Sequence, residues 1–239
     1  MSEATSPVSR SGQGHGPPSL RGGHGGGAGP SMLFHHFETM VQQKAAVELG
    51  MWLFLAQEVM FFGGLFMAYV YYRNKFHDAF VHASKHLDVT LGTVNTVVLI
   101  GSSLTMALAV DAAQKGKRDR TRNLVVATMV LGLVFMGIKA YEYHHKWVEG
   151  LIPGAGFSGE ATLGHGSHIF FILYFMMTGL HALHMIIGEG LMIMLLVWNK
   201  QGKVTGEYPS RCHAMGLYWH FVDIVWIWLF PMLYLVSRH

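Results

Sequence analysis

Beyond residue 44 the chain falls into five long apolar runs, at about 45–72, 89–110, 123–143, 168–198 and 213–236, separated by polar segments. Each run reaches the roughly 20 residues a helix needs to cross the hydrocarbon core of a bilayer. Apolar positions are continuous within the runs and do not alternate. In lipid each backbone N–H and C=O must find its partner inside the structure, so continuous runs predict helices and not barrel strands. The pattern therefore predicts an all-α membrane protein, a bundle of five transmembrane helices occupying 32–239. Residues 1–31 are of another kind. Stretches such as Gly22-Gly23-His24-Gly25 and Gly14-His15-Gly16-Pro17-Pro18 have too little apolar surface to offset chain entropy, which predicts a disordered Gly/Ser/Pro/His-rich tail. The tail lacks the apolar core of a signal peptide, and His15 and His24 read as solvated.

Composition sharpens this picture. The chain is 51% hydrophobic and only 13% charged, about half the charged share of a soluble domain. A formal charge of +3 spread over the loops gives no footing for nucleic acid. Cys212 is the sole cysteine, which excludes an internal disulfide and a cysteine-built metal cluster. Lys and Arg are unevenly placed. Eleven fall on the side of the N-terminus and of the second and fourth loops, and six on the other. By the positive-inside rule the N-terminus is cytoplasmic and the C-terminus opposite. The largest connection, 144–167, contains Pro153-Gly154-Ala155-Gly156 and is predicted to be irregular. Pro231 lies inside the fifth run, where it removes one backbone hydrogen bond.

The chemistry lies in polar side chains at membrane depth, where an unpaired charge costs roughly 2.5–3.5 kcal/mol on insertion scales. Glu58 stands mid-way along the first run beside Gln57. His181 and His184 stand one turn apart in the fourth, with Glu189 further on, and His220 and Asp223 are spaced likewise in the fifth. Asn95, Ser102, Ser103 and Thr105 lie in the second. Lys139 and Glu142 lie near one end of the third, where a lysine can snorkel. The plain reading is interhelical hydrogen bonding, with Glu58 and Asp223 each taking a partner. The functional reading is a proton-exchanging or lipid-headgroup site.

Sixteen histidines invite a metal reading. A pair of Glu-x-x-His motifs of the di-iron kind is absent, however. His181 and His184 are offset by about 60° and ~4.5 Å along one helix, unlike the opposed ligands of a haem. No motif sets a Ser or Cys nucleophile beside a base. No catalytic, metal or cofactor-binding residue is assigned in this chain. Glycines at 63–64, 92, 101, 132, 137, 179 and 188 predict close helix packing, in the bundle or against a partner.

Five motifs in order then resemble the cytochrome c oxidase subunit III family of haem-copper terminal oxidases, over about 47–237. The strongest is Tyr218-Trp219-His220-Phe221-Val222-Asp223-Ile224-Val225-Trp226. Next come Thr178-Gly179-Leu180-His181-Ala182-Leu183-His184 and Met51-Trp52-Leu53-Phe54-Leu55-Ala56-Gln57-Glu58. Asn95-Thr96 with Ser102-Ser103, and Lys139-Ala140-Tyr141-Glu142-Tyr143, complete the series.

The resemblance implies a non-redox subunit of a proton-pumping oxidase in the bacterial cytoplasmic (inner) membrane. The main contact would be with the catalytic subunit I. Subunit II, a small subunit IV and a respiratory supercomplex are further partners. Haem and copper would sit in partner subunits, and structural phospholipid would bind. Glu58 matches the family's buried reactive carboxylate, a proton-antenna candidate. His181, His184, His220, Asp223, Lys139 and Glu142 match its polar interior or lipid sites. Longer members have seven helices; five are expected here, leaving the family's lipid cleft open to the bilayer or closed by another subunit. The alternatives are an accessory subunit of a quinol oxidase or nitric oxide reductase, a stand-alone proton or ion transporter, and a haem-binding anchor.

Overall fold

The structure is a computed structural model that describes residues 40–153, 166–201, 204 and 210–235. The predicted tail at 1–31, residues 154–165 of the stretch expected to be irregular and the end of the last run lie outside the described residues, while 144–148, expected to be irregular, continue the third spanning helix. Six helices are described: α1 (Met40–Lys75), α2 (His77–Ser84), α3 (Val89–Gln114), α4 (Arg118–Val148), α5 (Ser167–Lys200) and α6 (Ser210–Tyr234). All but α2 are long and apolar enough to cross a membrane, and no strand occurs among the described residues.

The polar segment after the first run had no predicted helix, yet it forms α2. Its short pattern is amphipathic: Ala79, Phe80 and Ala83 turn inward, and Phe80 packs edge-on against Phe170 of α5, 5.3 Å between centroids. At eight residues α2 is far too short to span. The ends of the spanning helices are written locally. Asp88 caps α3, its Oδ1 accepting from the N–H groups of Thr90 and Leu91 at 2.8 and 3.2 Å, as an N-cap carboxylate does. The α3–α4 turn passes through Gly116 at φ 71°, and α4 ends at Gly150 at φ 67°. In both, the residue after the glycine donates to a carbonyl five residues back: Lys117 to Ala112 at 3.0 Å and Leu151 to Lys146 at 3.1 Å. This is the left-handed C-terminal closure that glycine adopts without cost from a Cβ.

The helices do not share the interior equally. Helices α3 and α4 form an antiparallel hairpin, and α6 packs on α1, α3 and α5. Half of the apolar window of α6 is buried in the bundle, against 11% of that of α1. Helix α1 is thus a peripheral helix leaning on α5 and α6, while α6 is the central one. Trp219 shows how α6 is held. Its ring lies over two glycines: a Cβ at Gly188 of α5 or at Gly132 of α4 would stand 2.9 Å from it. Its indole N–H donates to Ser102 of α3 at 3.1 Å. Gly92 gives Phe230 the same access, at 2.8 Å from a notional Cβ. Gly63, Gly64 and Gly137 have nothing within 4 Å, so these three are not packing positions within the chain.

Candidate functional site

The polar side chains singled out in the sequence form three separate clusters, each built by helices far apart in the chain. The first joins α1 to α5. Nε2 of His184 lies 3.2 Å from Oε2 of Glu58, with both side chains nearly enclosed. Nδ1 of His184 faces the carbonyl of Leu180 at 2.8 Å, and Phe62 closes over the imidazole edge-on at 5.4 Å. The hydroxyl of Tyr218 donates to the carbonyl of His184 at 2.9 Å, which ties α6 to the same turn. Gln57 points outward and takes no part.

His181 belongs elsewhere. The three-residue step from His184 turns it into the bundle, where it is buried and its Nε2 lies 3.2 Å from the carbonyl of Val222. Phe135 and Trp226 flank its ring at 5.5 and 5.2 Å. The two histidines therefore do not form one site: about 60° of helical rotation is enough to give them different neighbours.

The second cluster lies one layer away and corrects the snorkelling expectation for Lys139. Its side chain is only 7% exposed. Nζ turns inward, donating to Oε2 of Glu142 at 2.9 Å and to the Tyr234 hydroxyl at 2.7 Å. It sits 4.7 Å from the centroid of the Trp226 ring. Oε1 of Glu142 accepts from the hydroxyls of Tyr234 at 2.6 Å and Tyr174 at 3.1 Å. The tyrosine hydroxyls carry the protons that a buried carboxylate needs, and the aromatic faces attract the ammonium. A lysine within three residues of a glutamate has a partner at hand, so it need not reach the interface to lower its cost. Tyr143 extends the cluster by a hydrogen bond to Thr178 of α5.

The third cluster lies between α3 and α6. Nδ1 of His220 is 2.8 Å from Oγ of Ser103. Asp223 is 3% exposed, and neither of its carboxyl oxygens has a hydrogen-bond partner among the described residues. Glu189 shares that condition: its carboxyl lies against Gly132 without a partner. Glu58 takes His184 as its partner, whereas Asp223 has none in strict hydrogen-bond geometry among the described residues.

The sequence reading missed Tyr174, Tyr234 and Trp226. Tyr174 and Trp226 stand inward of the helix ends, whereas Tyr234 closes α6, where a tyrosine reads as an interface residue. The sequence reading also missed the clamp at the other end of the bundle. There Arg118 Nη2 donates to the carbonyls of Asn199 and Lys200, both at 2.7 Å, and Asn199 donates back to the carbonyl of Arg118 at 3.0 Å.

As chemistry, the arrangement offers hydrogen bonding and proton sharing. Among the described residues no group of three or more His, Cys, Asp or Glu side chains is placed to hold a metal ion. Cys212 is buried.

Residues 31–238 match the family model described as cytochrome c oxidase subunit III. A cytochrome c oxidase subunit 3 of Corynebacterium diphtheriae is 32% identical over 193 residues, covering 80% of this chain and 88% of that protein. A probable quinol oxidase subunit 3 of Staphylococcus haemolyticus is 28% identical over 190 residues, covering 80% of this chain and 89% of that protein. A heme-copper oxidase subunit I+III of Aeropyrum pernix is 32% identical over 199 residues, covering 81% of this chain and 23% of that longer protein. With five helices of spanning length, the chain is a multi-pass integral protein of the bacterial cytoplasmic (inner) membrane and, as a member of the cytochrome c oxidase subunit III family, a subunit of a haem-copper oxidase complex.

Proposed function

We propose that the chain is a non-redox subunit that supports subunit I of a proton-pumping oxidase reducing oxygen to water, with haem and copper held by its partners. The observation that carries this reading is the relative whose name joins subunits I and III in one polypeptide. Joining the two parts in one polypeptide supports their lying side by side. The interior of this chain agrees with a supporting role. Glu58, His184, Lys139 and Glu142 are hydrogen-bonded to one another or to tyrosines, which supports a structural role for them.

Glu58 is the one carboxyl of this set near the edge of the bundle, in contact with a histidine. It is the residue we assign to proton exchange with the partner's uptake path. The outward side of α1, with Trp52, Met60 and Met67 exposed, is a surface for structural phospholipid. The excess of Lys and Arg on the N-terminal side supports a cytoplasmic N-terminus.

Affinity purification through this chain in mild detergent, with an optical spectrum and identification of co-eluting polypeptides, tests the reading. Haem absorbance that travels with a large apolar partner, and leaves when that partner is stripped away, is the expected result. A haem band that stays with the stripped chain overturns it, and so does a colourless chain that eluted alone and carried protons in liposomes. The quinol oxidase relative favours a second reading of the electron donor. Oxidation of reduced cytochrome c against oxidation of a quinol by the purified complex separates the two.

A further inference from the structure

Along the seam between α3 and α6 lies a groove of about 420 Å³ on the side of the bundle. Thr96, Ser103 and Ala107 line it from α3, and His220, Asp223 and Ile227 from α6. From Thr96 to Ala107 the lining runs eleven residues, about 16 Å along the helix axis. The rim is apolar and faces outward at membrane depth: Ile100 is 54% exposed, Leu104 62% and Ile224 53%.

One feature of the floor is out of keeping with lipid. Asp223 lies about 20 Å into α6 from its start. It is 3% exposed, and neither carboxyl oxygen has a partner among the described residues. Ser103 is the donor beside it, but that hydroxyl lies 2.8 Å from His220 and neither carboxyl oxygen meets it in good hydrogen-bond geometry. A buried carboxyl left in this condition costs more than almost any other polar group. Acyl chains offer it no donor, and a phospholipid headgroup cannot reach mid-helix depth.

We propose that this groove is the seat of a transmembrane helix of the oxidase's partner subunit, and that this helix brings a hydrogen-bond donor to Asp223. The occupant is a helix because the groove is long and follows the α3–α6 seam over three turns. A compact ligand would fill only the part around Asp223. Along α3 the small side chains of Thr96, Ser103 and Ala107 alternate with Leu99, Ile100 and Leu104, and the small positions admit the close backbone approach that drives helix association in lipid. The partner side chain is a donor: a hydroxyl, amide, indole or basic group. His220, bonded to Ser103, lines the groove from α6 as a further polar contact.

The inference rests on the subunit reading, and its test is arranged to separate the two. A photocrosslinking amino acid is placed at Ile100 or Ile224 on the groove rim, and at Met60 on the outward face of α1 as control. The oxidase is then purified whole through this chain. In a second arm, Ala107→Trp fills the groove from an exposed position, where it leaves the bundle undisturbed. Asp223→Asn retains a hydrogen-bonding group, whereas Asp223→Leu removes it.

The expected result is a crosslink from the rim, and not from Met60, to a membrane-spanning peptide of an oxidase subunit. Retention of this chain in the complex should fall about ten-fold in Ala107→Trp and Asp223→Leu and far less in Asp223→Asn. Rim crosslinks to lipid, to a quinone or to a second copy of this chain overturn the inference. So does full retention of Ala107→Trp in a complex that assembles normally. If the unsubstituted chain brings down no oxidase subunit at all, the subunit reading itself fails.

Discussion

Nε2 of His184 and Oε2 of Glu58 meet at 3.2 Å across the seam between α5 and α1. Nδ1 of His184 faces the carbonyl of Leu180 at 2.8 Å, an acceptor only, so Nδ1 carries hydrogen. The 3.2 Å contact between Nε2 and Oε2 of Glu58 then needs a further proton, on the carboxyl or on the imidazole. Either form satisfies both partners, and the proton can move between them without breaking the contact between α1 and α5.

Removing the acid should expose this dependence. Glu58→Ala leaves Nε2 of a nearly enclosed imidazole facing no partner, and should lower stability by about 1–3 kcal/mol. Glu58→Gln keeps a donor for Nε2 through its amide and should cost well under half as much. Equilibrium unfolding in mixed micelles compares them; equal losses in the two variants would show that the contact contributes nothing specific.

The Lys139–Glu142 pair predicts a different pattern, because both charges are buried. Lys139→Met strands the Glu142 carboxylate among rings and should cost about 3–5 kcal/mol, the usual result of removing one partner of a buried pair. Lys139→Met combined with Glu142→Leu removes both charges and should restore a large part of that loss. The two tyrosine hydroxyls at Glu142 would remain unpaired, so restoration stays partial. A double-substitution cycle read by the same unfolding measurement gives the coupling, and strictly additive losses would contradict the geometry.

Two glycines separate packing from mere presence of a small residue. Gly188→Ala puts a methyl 2.9 Å from the Trp219 ring, which is itself wedged against α4 and bonded to Ser102. Overpacking there should cost about 1–3 kcal/mol. Gly64→Ala meets open space and should be neutral or gain up to about 1 kcal/mol from helix propensity. If the two alanine variants unfold alike, Trp219 is not confined as described.

The sequence made the five spanning helices legible, because lipid leaves a continuous apolar run almost no other choice. It also named Glu58 and His184, since an ionisable side chain at membrane depth must find something. What it could not reveal was direction. Lys139 has the stem to snorkel, and only Tyr174 and Tyr234, 35 and 95 residues further along, make the inward path the better one. His181 and His184 look like one face on paper, yet the carbonyl that receives His181 comes from α6 and the carboxyl that meets His184 from α1. Helix α2 escaped notice because its inward positions, Ala79, Phe80 and Ala83, cover less than three turns. That is too short for a periodic signal and long enough to cover Phe170.

The clamp between Arg118 and Asn199 yields the remaining prediction. Arg118 opens α4 and reaches across to the last carbonyls of α5, at Asn199 and Lys200, which no intrahelical N–H can satisfy. A guanidinium at a helix C-terminus also meets the negative end of the macrodipole. Asn199 is buried and returns a hydrogen bond to the carbonyl of Arg118, so each helix terminus closes the other. Arg118→Ala should free the final turn of α5: amide exchange at residues 197–201 should rise several-fold, with a loss of about 1–2 kcal/mol in overall stability. Asn199→Ala removes a single neutral hydrogen bond and should raise exchange less. Both effects should be confined to this end of the bundle, leaving residues around Glu142 and Tyr234 protected as before. Exchange at 197–201 that did not respond to Arg118→Ala would mean that the α5 terminus is held by its own last turn and not by α4.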